Sequence, residues 1–232
     1  TLLEEPLWQY MKWFHSFARL NLCPSENTLL RLKFRGIRDL AVWSRGIDSA
    51  RFSPRFYSSS LRRSLGGEGK LLYLYVGRIS AEKGIDVYAQ SIRAFNQKHG
   101  DRVRFVFTGD GPYLDTLRAM HINNTVFTGA LRGQALSEVY ASCDVFVFPS
   151  DNETFGNGML EAMASGTPGI CADAGGLKDF TAHGENACVV CAPRDARALA
   201  EAMEAMMDGR LRGRIRAGAL KTAGERSWET IF

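Results

Sequence analysis

The stretch VFVFPSDNETFGNGMLEA, residues 145–162, holds the pattern that decides the fold. The apolar run from Val145 to Phe148 predicts a buried strand, and after a loop the segment from Asn157 predicts a helix. A helix start at this place offers unpaired N–H groups and the positive end of a dipole. Gly156 and Gly158 let the backbone come close to a bound group. The pattern therefore predicts an anion site, for which phosphate is the natural ligand.

Two carboxylates, Glu153 and Glu161, flank this turn eight positions apart. Glu161 follows one helical turn further in, where it can accept hydrogen bonds from vicinal hydroxyls, as an acidic residue does for ribose in dinucleotide folds. Phosphate together with ribose indicates a nucleotide. The alternative is that both acids lie on solvated surface near a helix start. The small residues that follow, Ala162 to Gly166, favour a packed helix and hence the site.

Apolar runs alternate with amphipathic segments from about Leu71 onward. Such alternation predicts an α/β fold, a doubly wound, Rossmann-like parallel sheet with helices on both faces. The predicted strands are Leu71–Val76, Val103–Phe107, Thr125–Phe127, Asp144–Phe148, Pro168–Ala172 and Ala187–Cys191. The predicted helices between and after them are Ala81–Lys98, Tyr113–Met120, Gln134–Ser142, Asn157–Ser165, Ala196–Met207 and Leu211–Glu225.

The first seventy residues follow a different pattern. An aromatic-rich helix leads to a short strand at Leu20–Cys23, a helix capped by Ser25 and a second strand at Leu40–Trp43. We expect residues 1–45 to be the tail of a truncated upstream domain, residues 46–69 a linker, and residues 70–232 a nucleotide-binding domain. The final residues from Ser227 resemble a capped helix start.

The loops after the other strands carry further candidates, because ligands of doubly wound sheets lie beyond the carboxyl ends of the strands. After the first strand, Gly77 precedes Arg78 and Lys83, a forked donor and a mobile point charge that together suit a diphosphate. The alternative for Arg78 is a surface pair with Glu82. After the second strand, Gly109 lies in a Gly-Asp-Gly-Pro turn that is also common in ordinary loops.

The loop after the third strand is the candidate for contact with the base of a nucleotide. It runs from Thr128 to Arg132 and is short enough to lay its backbone along the edge of a base. Leu131 and Arg132 are the candidates for that contact. Nothing in the loop selects uridine over guanosine.

The composition excludes several classes of protein. The chain has 232 residues, 23% of them charged, and a formal net charge of +4. Its one locally basic run, Arg210 to Arg216, predicts a solvated helix rather than a nucleic-acid surface, and leaves open a weak contact with the inner face of an anionic membrane. Five cysteines in mostly apolar segments predict reduced core thiols in a cytoplasmic protein, without a metal site. No apolar run reaches the length of a membrane span.

Five motifs resemble the donor domain of retaining GT-B glycosyltransferases of glycosyltransferase family 4, also called group 1. They are YVGRISAEKGID, FVFTGDGPYLDTL, VFTGAL, YASCDVFVFPSDNETFGNGMLEAMASGTP and ADAGGLKDF, and the similarity covers about residues 70–230. The sequences of these motifs are most similar to the branch of sulfoquinovosyl-diacylglycerol synthases and related mannosyltransferases. Leu177 departs from the pattern, since family members often have Pro there.

The resemblance implies the C-terminal half of a GT-B enzyme, which transfers a hexosyl group from a UDP- or GDP-sugar to an acceptor hydroxyl with retention and without a metal ion. A lipid, polyol or saccharide acceptor would bind to the upstream domain, so this chain by itself is expected to be inactive. The residue roles it implies are diphosphate binding for Arg78 and Lys83, ribose binding for Glu161, donor-sugar contact for Glu153, and backbone N–H groups from Phe155, Gly156 and Asn157.

Other hypotheses about the function of the same architecture remain open at this point. The main one is a nucleotide-binding module without transfer activity. The presence of Arg78, Lys83, Glu153 and Glu161 together favours the transferase. An epimerase or phosphorylase of similar fold is less compatible with the pair of carboxylates.

Overall fold

The computed structural model describes residues 4–190 and 192–231. It contains a six-stranded parallel sheet and a separate two-stranded parallel sheet. The strands are β1 Asn21–Cys23, β2 Leu40–Val42, β3 Leu71–Val76, β4 Val103–Thr108, β5 Thr125–Gly129, β6 Val145–Phe148, β7 Gly169–Ala172 and β8 Ala187–Val190. The helices are α1 Glu4–His15, α2 Glu26–Phe34, α3 Ser59–Ser64, α4 Ile85–His99, α5 Leu114–Ala119, α6 Gly133–Ser142, α7 Asn157–Ala164, α8 Ala196–Ala205, α9 Gly209–Gly224 and α10 Trp228–Ile231.

The large sheet has the strand order β5-β4-β3-β6-β7-β8, and every pair in it is parallel. This confirms the predicted doubly wound sheet. The chain moves outward in one direction from β3 and in the other from β6, so the strand order reverses between these two central strands. Because connections leave such a point to opposite faces, a crevice opens at the carboxyl ends of β3 and β6, where ligands of this fold class bind.

The sheet is buried on both faces, as a parallel sheet requires. One face packs its side chains against α4 and α8, and the other packs against α6, α7 and α9. β3 and β6 have fully buried interiors, with Leu72, Leu74 and Phe146 at 0% exposure. The apolar runs were therefore correct predictors of strands, because only β-branched, aromatic and aliphatic residues fit a sheet covered on both sides.

One predicted helix begins at the wrong place. The sequence predicts a helix from Ala81, whereas the structure has a 3-10 turn over Ala81–Lys83 and starts α4 at Ile85. Gly84 between them has φ 71°, a left-handed conformation that ends the turn and cannot continue an α-helix. The break keeps Lys83 in a loop at the end of β3. The other elements differ from the prediction by three residues or fewer at either end.

The segment predicted as a linker contains structure that the sequence did not reveal. A 3-10 turn at Pro54–Phe56 and helix α3 lie within it, and Phe52 and Leu65 are buried in the core beside α6 and α7. Ser58 accepts a hydrogen bond from the Leu61 N–H and so caps α3. The predicted linker therefore contains a capped helix.

The first forty-five residues form α1, β1, α2 and β2. Ser25 caps α2 by accepting from the Thr28 N–H, as predicted. β8 ends at Val190, and the predicted strand end at Cys191 lies outside the described residues. The C-terminal end returns to the 46–53 segment through a bridge between Ile47 and Ser227. Within the described part of the chain, no helix is both long and apolar enough to cross a membrane.

Candidate functional site

Glycines hold the loops after β3, β4 and β5 together at the carboxyl edge of the sheet. The Gly77 N–H donates to the Thr108 carbonyl at 3.0 Å, and the Gly109 N–H donates to the Gly129 carbonyl at 2.9 Å. A Cβ on Gly109, whose φ is 142°, would overlap the Gly77 carbonyl oxygen. Gly109 is therefore required by contact between loops, and its contact with a ligand stays a prediction.

Lys83 and Glu153 meet across the crevice between β3 and β6. The Lys83 Nζ lies 2.6 Å from the Glu153 Oε1, although the two residues are seventy positions apart in the sequence. Their side chains are 28% and 14% exposed, so both remain accessible from the crevice. A Cβ on Gly84 would lie 2.7 Å from the Pro149 carbonyl oxygen, which shows how closely the two loops approach. The structure thus brings two predicted site residues together at the strand-order reversal.

Arg78 lies in the same loop but points outward. Its Nη1 is 3.3 Å from the Glu82 Oε1, and its side chain is 64% exposed. The surface pair with Glu82 that the sequence left as an alternative is therefore formed here. Tyr75 fixes the backbone at this place, because its hydroxyl donates to the Arg78 carbonyl at 2.7 Å. An exposed ion pair of this kind contributes little stability, so the guanidinium can turn toward an anion at low cost.

The start of α7 has the backbone geometry that the sequence predicts for an anion site, and anion binding there stays a prediction. Gly156 has φ 99° and precedes the helix without any side chain capping its first turn. Phe155 is buried against Phe180, with ring centroids 5.4 Å apart, while Asn157 is exposed at the first helical position. A Cβ on Gly156 would lie 2.5 Å from the Leu177 side chain. The start of α7 therefore packs directly against Leu177.

Two neighbouring segments position the loop that carries Glu153. The Gly176 N–H donates to the Glu153 carbonyl at 2.9 Å, and a Cβ on Gly175 would overlap that same carbonyl oxygen. From α2, the Thr28 hydroxyl donates to the Thr154 carbonyl at 3.4 Å. Asp179, at the end of a 3-10 turn after β7, accepts from the first N–H of α2 at 2.6 Å. The acidic loop is held by contacts on both sides rather than left as a free surface loop.

Glu161 lies on α7 where that helix meets α6 and the 46–53 segment. Its Oε2 accepts a hydrogen bond from the Tyr140 hydroxyl at 3.0 Å. Burial raises the pKa of the Glu161 carboxyl above its ordinary value, while the Tyr140 hydrogen bond and the Arg51 charge act in the opposite direction. A carboxylate in this setting is poorly hydrated and available to accept from a ligand hydroxyl. Glu161 is half-buried, which favours a place in the site over the solvated surface that the sequence left as an alternative.

The loop after β5 shows fewer features of a binding site than the other loops. Leu131 is half-buried and packs against the core, and Arg132 is exposed at the residue before α6, with an extended backbone. The Thr128 hydroxyl donates to the Thr108 hydroxyl at 2.9 Å, which ties β5 to β4. Contact of Leu131 and Arg132 with a base therefore stays a prediction.

Sequence reasoning missed Tyr140 and the Gly175–Gly176 pair as parts of this site. Tyr140 has a helical spacing typical of core aromatics, and it is indeed fully buried. Only its hydroxyl, placed opposite a carboxylate on the next helix, reveals a further role. Both glycines belong to the motif ADAGGLKDF, but they lie more than twenty residues along the chain from the Glu153 loop that they contact.

Replacing Glu161 with Gln is expected to raise the melting temperature near pH 8 and to change it little near pH 4. Because the pKa of Glu161 is raised in the folded protein, the free energy of unfolding falls as the pH rises from about 4.3, the ordinary pKa, through the folded pKa. Gln still accepts from Tyr140 but does not ionise, so it escapes that loss. Thermal melts at both pH values test this, and an unchanged or lower melting temperature near pH 8 would contradict it.

The fold is a doubly wound α/β domain, and the loops at the carboxyl ends of its central strands form its candidate ligand site. The sequence profile of the family described as "Glycosyl transferases group 1" matches residues 70–209, more than half of the chain, and the chain belongs to that family.

Several known proteins are similar to this chain. The GDP-mannose-dependent alpha-mannosyltransferase of Corynebacterium glutamicum is 34% identical over 225 residues, which cover 97% of this chain and 53% of that protein. The sulfoquinovosyl transferase SQD2 of Arabidopsis thaliana is 39% identical over 184 residues, 77% of this chain and 35% of that protein. The chain thus spans about half or less of these curated relatives.

Solved structures agree with the predicted fold. The crystal structure of Anabaena HepE in complex with UDP and glucose matches with a TM-score of 0.83 and 25% identity, covering 94% of this chain and 61% of that one. A sucrose-phosphate synthase from Thermosynechococcus elongatus matches with a TM-score of 0.85 at 23% identity, over 98% of this chain and 59% of that one. The predicted resemblance to GT-B glycosyltransferases is confirmed at the level of fold and family.

Proposed function

We propose that this chain is the donor-binding half of a glycosyltransferase that uses a nucleoside diphosphate sugar. The observation that carries the proposal is the Lys83–Glu153 pair at 2.6 Å, placed where the strand order reverses and beside the uncapped start of α7. A nucleoside diphosphate sugar has a diphosphate, sugar hydroxyls and a leaving group that gains negative charge. Helix N–H groups can bind the diphosphate, a carboxylate can accept from the sugar hydroxyls, and a cation can neutralise the leaving group.

The proposed chemistry follows from charge. When the bond from the anomeric carbon to the diphosphate breaks, negative charge grows on the phosphate oxygen that leaves. Lys83 is close enough to the crevice to donate to that oxygen, and the first turn of α7 adds backbone donors and its dipole. Arg78 would also bind the phosphates after its side chain leaves Glu82. Its 64% exposure allows this movement. Glu153 would then be free to accept from a sugar hydroxyl.

The finer features of the reaction are proposals of the same kind. We propose transfer with retention at the anomeric carbon, with side chains and helix N–H groups rather than a metal ion neutralising the leaving diphosphate. The acceptor, a lipid, a polyol or a saccharide, would bind to an upstream domain of which residues 1–45 form the tail. A peripheral contact with the inner face of a membrane would suit a lipid acceptor. The names of the relatives support this class of reaction, since they describe a mannosyltransferase that depends on GDP-mannose and a sulfoquinovosyl transferase.

Calorimetric titration with UDP, GDP and ADP tests the proposal directly. We expect one of the three to bind at least about tenfold more tightly than the others, because an interaction that distinguishes bases contributes on the order of 1.4 kcal/mol or more. The preferred nucleotide names the donor base. Tight binding of ADP alone would name adenine as the donor base, in place of the uridine or guanosine that the resemblance implies. Lack of binding of all three, both by this chain and by a longer protein that contains it, would contradict the proposal.

A further inference from the structure

Tyr140 is a fully buried tyrosine whose hydroxyl reaches the carboxylate proposed to hold the ribose. Its ring is 0% exposed and contacts Phe52 and Phe146, with centroids 5.8 Å and 5.5 Å away. Its carbonyl accepts from the Thr167 hydroxyl at 2.6 Å. Packing of the ring and the hydrogen bond to its backbone fix the position of the Tyr140 side chain. In this position its hydroxyl donates to the Glu161 Oε2 at 3.0 Å.

The two carboxylate oxygens of Glu161 therefore differ in their hydrogen bonding. Oε2 is held by Tyr140, and among the described residues Oε1 has no hydrogen-bond partner. Gly158, one turn earlier on α7, would place a Cβ 3.4 Å from the Tyr140 hydroxyl, so a larger residue there would crowd the contact. A carboxylate with one fixed oxygen keeps a single orientation, and a fixed orientation saves the entropy of ordering it when a ligand binds.

Among the described residues, two charged or titratable groups act on Glu161. From α6 it meets the Tyr140 hydroxyl, and from the 46–53 segment it meets the charge of Arg51. Arg51 is exposed, its guanidinium lies 5.9 Å from the Phe52 ring centroid, and its N–H donates to Asp48 at 3.1 Å. Since water screens an exposed charge, the Tyr140 hydrogen bond is the stronger stabiliser of the ionised form.

We propose that Tyr140 is a positioning residue for donor binding: its buried hydroxyl holds Glu161 so that Oε1 accepts from a ribose hydroxyl. The proposal rests on the proposed function, because it assigns ribose binding to Glu161. It adds that recognition of the ribose depends on a residue in the core, one helix away from the ligand. Tyr140 itself does not touch the nucleotide.

The test compares Tyr140→Phe with the unchanged chain, using the nucleoside diphosphate preferred in the titration above and its 2′,3′-dideoxy analogue. The unchanged chain is expected to bind the ribose form about tenfold or more tightly, because the analogue leaves the carboxylate unpaired. In Tyr140→Phe that ratio is expected to fall about fivefold or more, chiefly through weaker binding of the ribose form. Phe fills the same space, so the fold is expected to remain.

Tyr73→Phe is the matched control. Tyr73 is equally buried, and its hydroxyl donates to the Met203 carbonyl at 2.8 Å, on the opposite face of the sheet. Its removal costs one buried hydrogen bond, as in Tyr140→Phe, and is expected to lower the melting temperature while leaving the ribose-to-dideoxy ratio unchanged. A comparable drop of the ratio in both variants would show a general loss of packing and overturn the inference.

The pH dependence provides a second readout that a purely structural role would not move. Binding of the ribose form is expected to weaken as the pH falls and Glu161 takes up a proton, and in Tyr140→Phe this loss is expected at higher pH. The phosphate of the ligand also titrates near pH 6, so Glu161→Gln supplies the profile of the phosphate alone. If the unchanged chain binds with a ribose preference that Tyr140→Phe retains, the inference fails while the proposed function stands. If no nucleotide binds to this chain or to a longer protein that contains it, both fail.

Discussion

Replacing Lys83 with Ala is expected to slow glycosyl transfer about 100-fold or more and to weaken binding of the nucleoside diphosphate about 10-fold. Lys83 is the cation that meets Glu153 across the crevice between β3 and β6, with its Nζ 2.6 Å from the carboxylate. The loss in rate exceeds the loss in affinity because negative charge on the leaving phosphate is greatest in the transition state. The measurements are steady-state transfer by a longer protein that contains this chain and calorimetry on the chain itself.

Lys98→Ala is the control for this prediction. Lys98 belongs to α4, is 67% exposed and pairs with Glu204 at 3.1 Å, so it shares the charge of Lys83 without its position. Neither rate nor affinity is expected to change in that variant. Near wild-type turnover in Lys83→Ala would rule out the proposed role of Lys83 in charge neutralisation.

Loss of Lys83 also leaves Glu153 without its cation, and a double-mutant cycle separates that effect from catalysis. Glu153 is only 14% exposed, so an unpaired carboxylate at this place destabilises the loop by itself. Lys83→Ala combined with Glu153→Gln is expected to recover much of the melting temperature of the unchanged chain but little of the transfer rate. Recovery of the rate would mean that Lys83 acts only by holding Glu153.

The fold could be predicted from the sequence because its signal is local. Apolar runs of four to six residues, separated by amphipathic segments, leave few alternatives to a parallel sheet, and all six predicted strands are present. The one clear misplacement, the start of α4, follows from Gly84, whose left-handed backbone ends a turn that the periodicity alone would continue. Residue type at a single position overrode the pattern there.

The candidate site was predictable only in part, since its contacts join residues that are far apart in the chain. Lys83 and Glu153 were each selected from their own loops, but no spacing rule reveals that their side chains meet. The role of Tyr140 was hidden because a core aromatic and a positioning residue look alike until the neighbouring helix is in place. The structural need for Gly109 was also hidden, because the place that its side chain would take is occupied by the loop after β3.

Replacing Gly109 with Ala is expected to lower the free energy of unfolding by about 3 kcal/mol or more, which places it among the severe substitutions. The new Cβ would overlap the Gly77 carbonyl oxygen, and both partners are backbone of loops that are joined to the sheet by hydrogen bonds. Backbone cannot turn aside as a flexible side chain can, so the loops after β3 and β4 must separate. The same separation would shift Arg78 and Lys83, and nucleotide binding is expected to weaken together with stability.

Two further glycines separate the causes of that loss. Gly129 has φ 74°, and among the described residues no atom lies within 4 Å of the place that a Cβ would take, so Gly129→Ala introduces left-handed strain alone and is expected to cost about 1 kcal/mol. Gly213 lies inside α9 with open space around it, and Gly213→Ala is expected to stabilise the chain by about 0.5–1 kcal/mol. Urea unfolding of the three variants gives the comparison. A loss in Gly109→Ala no larger than that in Gly129→Ala would mean that the loops accommodate the methyl group, and close packing between them would then not explain the glycine in this motif.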